Sequence, residues 1–427
     1  MADRTRPAFT PQPLSADDRE LIGADGALPG LRVVLDAAEL TAALRARDPQ
    51  VRAARAEYLR YKPGTAMVAG LRVLTADGER TALAQAVTRT GRPKLTKLRM
   101  HARERGTWAH VFEGLDTAVG DAAADRHLPG LHRELSRTGV HTIRYKPARR
   151  WVGRRMRSGG SELVKVFGTG QASRGARAAR ALAAAGVPGP HLLREARHRN
   201  TLRFTWHEGR TLADLGDPHA AQVGELLARL HQTPWPFSGA NGGVPDPGNA
   251  LADLAVLLPS LRPAAQAAEE IGAGLTALLG PAWDGPLVTC HGDFSADQVL
   301  AEPGMHLRLL DLDSVRRGPA ESDLGEWLGE YLTRIARPGG PPGNQRADHS
   351  AAALYALAGP LLEAYRQHSS HPVHLYRVLG FAAAAVLRRA AEPFRWREPD
   401  WIATAAERAR LAGWLLDQAR NRTTGAA

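Results

Sequence analysis

The sequence predicts an α+β protein of two lobes, β-rich first and mostly helical after. Three observations carry this. At 427 residues the chain exceeds one ordinary domain. Up to about residue 205, short runs of β-forming residues alternate with Ala/Arg/Leu helical segments. Beyond that point helical patterns dominate, broken by two strand-like pieces, LVTCHG and HLRLLDLD. The expected division is an N-terminal arm over 1–30, a β-rich lobe over 31–205 and a helical lobe over 206–427.

Composition narrows the function classes. Apolar residues make up 44% and charged residues 23%, enough to bury a sizeable core. The single cysteine, Cys290, excludes an intrachain disulfide and a Cys-rich zinc site, and fits a reducing cytoplasm. The first residues, MADRTRPAFTPQPLSADDRE, lack the apolar core of a signal peptide. No stretch approaches the roughly 20 apolar residues of a membrane span. A formal charge of +12 raises the question of a polyanionic partner. The arginines are scattered, however, and with 6% aromatics no platform for stacking bases stands out, which argues against nucleic acid.

Along the chain, residues 1 to about 30 are punctuated by Pro and Asp and read as a loose arm. One echo stands out in the β-rich part: RYKP occurs at 60–63 and again at 144–147. Two similar strand–turn–strand units in one sheet would explain it. The second echo leads, through the turn RMRSGGSE, into the β-rich run ELVKVF (162–167), with Lys165 in its centre. ASRGARAARALAAAG (172–186) has helical composition ended by Gly186 and Pro188. LLREARHRNTLRFTW then reads as two strands around a polar turn at His198 to Asn200. GELLARLHQT (224–233) is an amphipathic helix, 238–250 is a Gly/Pro/Asn loop, and a Pro/Gly break falls at 337–343.

Several motifs fail. GTGQAS (168–173) follows a strand and opens a helix, but Ser173 stands where a dinucleotide fingerprint needs its third small residue. There is no phosphate loop with G-K-[ST], no H-E-x-x-H and no G-x-S-x-G. His291 and Asp293 could open a two-His-one-carboxylate iron site with His368, His371 or His374, though such sites rarely sit in a helical region.

HGDFSADQVL (291–300), followed by LRLLDLDSV (307–315), does better. Phosphoryl transfer needs a carboxylate for the acceptor hydroxyl and a side-chain oxygen five residues later for Mg²⁺. It also needs a second carboxylate on a nearby strand and a lysine for the phosphates. Asp293, Gln298, Asp311 and Lys165 supply all four, in that arrangement.

These stretches resemble the aminoglycoside phosphotransferase and choline kinase-like family of small-molecule kinases, whose catalytic loop typically reads H-G-D-x-x-x-x-N. LLARLHQTP (226–234) and DLGEWL (323–328) resemble further parts of that family, and the likeness spans about residues 140 to 415. It implies a protein kinase-like two-lobe fold and an ATP- and Mg²⁺-dependent transfer to a small-molecule hydroxyl. Asp293 would be the catalytic carboxylate, Gln298 and Asp311 the metal ligands, and Lys165 the phosphate lysine. Backbone groups of Thr205, Trp206, His207 and Glu208 would hold the adenine edge, and KPARR (146–150) would cover the phosphates. His291 would hold the loop, Asp313 would assist a metal or pair with Arg316 or Arg317, and Asp323 would N-cap its helix.

Two departures from the family bear on this. Gln298 replaces the usual Asn, and no acidic residue between Glu162 and Glu195 offers Lys165 a helix partner. They motivate the alternative of a nucleotide-binding module without turnover. An acidic excess between Asp293 and Glu330 favours a cationic acceptor, such as an aminoglycoside or amino alcohol, with a sugar as the neutral alternative.

Overall fold

The computed structural model describes residues 9–10, 13–216, 219–235, 237, 249–280, 283, 285–335 and 351–424. Most of the expected 238–250 loop and the 337–343 break lie outside these residues.

The expected loose arm holds a helix, α1 (Ala16–Ala24), started by a Ser15–Asp18 capping box. Leu21 is buried, and Asp18 forms a buried ion pair with Arg397 at 2.6 Å, which ties this segment to the C-terminal part. Two more short helices follow, α2 (Leu31–Leu35) and α3 (Ala37–Arg45).

The β-rich part is two antiparallel sheets, not one. The first contains β1 (Val51–Lys62), β2 (Ala66–Thr75), β3 (Gly78–Val87), β4 (Ala109–Phe112) and β5 (Thr117–Asp121), in the order β1-β2-β3-β5-β4. The second contains β6 (Val140–Lys146), β7 (Arg150–Arg157), β8 (Gly160–Phe167), β9 (Leu192–Ala196) and β10 (Thr201–Thr205), in the order β6-β7-β8-β10-β9. Each places a helix between its third and fourth strands in sequence, α4 (Pro93–Glu104) in the first and α6 (Ala172–Ala184) in the second. The short helix α5 (Leu131–Leu135) leads into the second unit.

The RYKP echo is therefore the mark of a repeated lobe, one copy per sheet. In the first copy the Tyr61 hydroxyl donates to Asp25 at 2.5 Å and the Gly64 N–H donates to the same carboxylate at 3.0 Å. In the second copy Tyr145 donates to Asp125 at 2.9 Å and the Ala148 N–H at 2.7 Å. Both aspartates open a D-x-x-L-P-G-L stretch. Its glycine has no alternative in either copy. A Cβ on Gly30 would fall 1.6 Å from Thr117 Oγ1, and one on Gly130 would fall 2.3 Å from Thr201 Oγ1. Strand register makes the copies comparable residue by residue. Ala66 pairs with Val87 as Arg150 pairs with Phe167, so Gln85 occupies in the first sheet the place of Lys165 in the second.

The helical lobe comprises α7 (Leu212–Leu215), α8 (Ala220–His231), α9 (Ala252–Ala255), α10 (Arg262–Leu279), α11 (Ala320–Ile335), α12 (Ala351–His368), α13 (Leu375–Arg388), α14 (Glu392–Arg395) and α15 (Trp401–Thr424). Two small sheets sit among them. One pairs β12 (Val288–Cys290) with β15 (Arg316–Gly318), and the other joins β11 (Arg210–Thr211), β13 (Val299–Ala301) and β14 (Leu307–Leu309). Residues 291–298 follow β12 and Asp311 follows β14, so these sheets bring the two sequence motifs side by side.

Apolar packing ties the parts together. Leu40, Leu59 and Leu71 of the first repeat share a core with Leu258, Phe394 and Trp401 of the helical lobe. Leu83 and Leu98 share another with Trp151 and Val164 of the second repeat. No described helix is long and apolar enough to cross a membrane.

Candidate active site

The loop carrying Asp293 is shaped by backbone demands. Gly292 sits at φ 82°, and a Cβ there would fall 2.3 Å from the Ser314 carbonyl oxygen, so only glycine fits. One face of α11 then holds the loop by its N–H groups. Asp323 accepts from His291 N (2.6 Å) and Gly292 N (3.0 Å), Glu326 from Phe294 N (2.9 Å), and Glu330 from Ala296 N (3.2 Å). Positions i, i+3 and i+7 share one helix face, so a single rigid element fixes four donors of the loop.

Asp323 is accordingly not an N-cap. The helix starts at Ala320, and the fully buried Asp323 also receives His231 Nε2 at 3.1 Å. Burial resists its charge, but bonds from His231 and nearby cations outweigh that and hold the carboxyl below its ordinary value. His231, Cys290 and Asp323 form the one described cluster with metal-like spacing, yet these loop N–H groups already occupy Asp323. No such cluster among the described residues joins His291 and Asp293 to another histidine, so the iron site does not assemble. His291 is fully buried, with Nε2 2.7 Å from the Leu310 carbonyl.

Asp293 itself is exposed on a cavity of about 320 Å³ in the cleft, and Arg389 donates to it at 3.1 Å. Burial penalises the Arg389 charge, but Asp293 and three nearby glutamates more than compensate and raise its pKa. Gln298 lines the same cavity, and its side-chain amide makes no hydrogen bond with any described residue.

Lys165 and Arg150 meet the second motif. Lys165 Nζ lies 2.6 Å from Asp311 Oδ1 and 2.9 Å from Asp313 Oδ2. One Arg150 nitrogen lies 2.8 Å and 2.6 Å from the same two oxygens. The carboxylates facing Lys165 thus come from the helical lobe, not from a helix glutamate. Asp313 pairs with Lys165 and Arg150 instead of Arg316, which bonds Ser322, or Arg317. Burial disfavours both carboxylate charges. Lys165 and Arg150 override this at Asp311 and hold it well below the usual range, whereas Asp313, beside the Asp311 charge, is pushed up. Asp311 also adopts a left-handed backbone, φ 55°, rare for a residue with a side chain and frequent at functional sites.

The stretch expected to hold the adenine edge links β10 to β11. Among the described residues no backbone partner takes the N–H and C=O groups of Trp206, His207 and Glu208. Side chains lead elsewhere: Trp206 donates to Glu208 and is covered by Arg154, and His207 bridges Thr205 (2.8 Å) and Glu302 (3.0 Å).

Residues that sequence reasoning passed over complete the site. Arg150 already belonged to the KPARR hairpin expected to cover the phosphates, whereas Glu326 and Glu330 could have been found from their spacing after Asp323. Lys146 and Trp396 could not. Lys146 Nζ stands 5.2 Å from the Trp396 ring centre, and both line the Asp293 cavity. Burial, with Arg144 and Arg150 nearby, lowers the Lys146 pKa to about 8.

A two-lobe fold with a carboxylate loop, a lysine-bound aspartate pair and an open linker between lobes is that of a small-molecule kinase. Comparison agrees: the sequence pattern of the Phosphotransferase enzyme family matches residues 147–359, and the chain belongs to that family. Solved structures similar to it include a choline/ethanolamine kinase family protein from Mesorhizobium loti, at 19% identity and TM-score 0.45, covering 69% of this chain and 94% of that one. A choline kinase from Cryptosporidium parvum is similar at 13% identity and TM-score 0.48, covering 70% and 95%. An amicoumacin kinase in complex with AMP-PNP, Ca²⁺ and Ami is similar at 14% and 0.48, covering 66% and 88%. No curated protein sequence matches the chain.

Proposed function

We propose that this small-molecule kinase uses ATP and Mg²⁺ in the cytoplasm, with Asp293 as the carboxylate that orients and deprotonates the acceptor hydroxyl. The single observation that carries the reading is the meeting of Lys165 and Arg150 with Asp311 and Asp313 across the two lobes. In this reading Lys165 and Arg150 turn to the nucleotide phosphates, and Thr205 to Glu208 offer backbone groups to the base. Arg389 holds Asp293 at the cavity wall, while α11 keeps the loop from shifting.

The donor set suits Mg²⁺. Asp311 and the unengaged Gln298 amide supply hard oxygen ligands, Asp313 can assist, and no soft ligand competes there. Bound Mg²⁺ would neutralise phosphate charge. The alternative of nucleotide binding without turnover gains no support from the comparisons, and Asp293, Asp311 and Lys165 keep the residue types that transfer requires.

The acceptor cavity counts five carboxylates (Asp293, Asp297, Glu330, Glu392, Glu398) against five cations (Arg144, Lys146, Arg334, Arg389, Arg408). That balance fits a polar, hydroxyl-rich acceptor and carries no preference for a cationic one. The test is ATP turnover with Mg²⁺ across aminoglycosides, sugars and amino alcohols, using Asp293→Ala as the blank. Phosphorylation of one class, absent from the blank, supports the reading. Absence of both transfer and ATP affinity would overturn it.

A further inference from the structure

The first repeat keeps the architecture of the second but not its chemistry. Gln85 stands where Lys165 would, and Ala66 where Arg150 would. The charge has moved instead to a cavity of about 570 Å³ on the boundary between the repeats. Its cations include Arg60 from β1, Lys94 and Lys97 from α4, Arg126 from the connector, Arg149 from the hairpin and Arg395 from α14.

None of these six forms an ion pair with a described carboxylate. The one carboxylate in the lining, Asp125, is spent on Tyr145, Ala148 N and His127 N. Burial, and then the Arg149 charge, depress the Arg60 pKa, and the nearby Asp125 does not offset them. A concave site lined by one sign concentrates ions of the other sign. The volume falls within the roughly 300–1,000 Å³ of small-molecule sites.

We propose that this cavity is a second anion site, separate from the catalytic cleft, which binds a small molecule carrying two or more phosphate groups. A single phosphate accepts from two or three such side chains, whereas these six come from five different elements around the rim. The hairpin separates the two sites. Arg149 lines this cavity, while the adjacent Arg150 reaches Asp311 and Asp313 in the cleft. The proposal does not rest on the catalytic reading.

The test is calorimetric titration of the full chain with inorganic tripolyphosphate, without divalent cations and at fixed ionic strength. Lys94 and Lys97 are exposed, so the variant Lys94→Glu/Lys97→Glu should keep the fold, checked by thermal unfolding. We expect its tripolyphosphate affinity to fall at least 10-fold, with the thermal shift given by ATP and Mg²⁺ unchanged. Inorganic orthophosphate should bind the wild-type chain at least 10-fold more weakly than tripolyphosphate. Unchanged tripolyphosphate affinity in the variant, or no binding to the wild-type chain, overturns the site. A parallel loss of the ATP shift also overturns it, because the anion would then sit in the cleft. Equal binding of ortho- and tripolyphosphate overturns the multi-phosphate ligand.

Discussion

Lys165 Nζ lies 2.6 Å from Asp311 Oδ1, joining two residues 146 positions apart and from opposite lobes. Each neutralises the other's buried charge, and Arg150 with Asp313 completes the quartet. Removal of one member therefore leaves an uncompensated charge in a dry site. We predict that Asp311→Asn weakens Mg²⁺-dependent nucleotide binding at least 10-fold, measured by titration at varied Mg²⁺. Unchanged Mg²⁺ dependence would transfer the ligand role to Asp313.

Asp293→Ala should lower kcat on the order of 10²-fold or more while ATP affinity stays within a few-fold. Its side chain is exposed and its one ion pair among the described residues is with Arg389, so the fold should survive. Near-normal turnover would remove Asp293 from the mechanism.

Gln298 tests the metal geometry. Mg²⁺ demands oxygen ligands at about 2.0–2.1 Å. If the loop is built for the longer side chain, Gln298→Asn withdraws the amide oxygen by one carbon–carbon bond and lowers activity with Mg²⁺. Raised activity in that variant would mean that the loop is set for the shorter residue.

Glu326 binds the loop through Phe294 N and pairs with Arg388 at 2.6 Å. Glu326→Gln should cost about 1–3 kcal/mol of stability, the usual loss for a charged hydrogen bond, in urea unfolding. It should also reduce kcat more than it changes nucleotide affinity. A stable variant with wild-type kcat would show that α11 does not position the loop.

Lys146 gives a pH signature. Its folded pKa of about 8 lies below the ordinary 10.5, so between those values the unfolded chain binds the extra proton. Stability from this group therefore rises as pH climbs from about 8 to 10.5, and its charged form is a burden below 8. Lys146→Met should be at least as stable as wild type at pH 7, and it should lack this rising contribution in denaturant unfolding at pH 9.5. A variant that is less stable at pH 7 contradicts the assignment.

Local sequence held the candidate catalytic loop, the proposed metal-binding stretch and the strand of Lys165, because each is a short segment whose residue types and spacing this chemistry would fix. Asp293, Gln298 and Asp311 fall in two such segments, and Lys165 sits in the middle of β8 as its β-forming neighbours indicate. The capping box at Ser15 and Asp18 is equally local, although the punctuation around it suggested an unstructured arm. The RYKP echo signalled repetition, but strand pairing is long-range, and the four letters carry no information on whether two hairpins share a sheet.

Burial and distance settled the rest. The partners of Lys165 lie 146 and 148 residues away, beyond any helix or strand periodicity. Asp323 looks like a helix start in sequence, yet the chain enters α11 three residues earlier and turns that carboxylate inward to the loop. Lys146, Trp396 and Arg149 gained their surroundings only when the two repeats and the helical lobe packed together, because charge and solvation depend on neighbours in space.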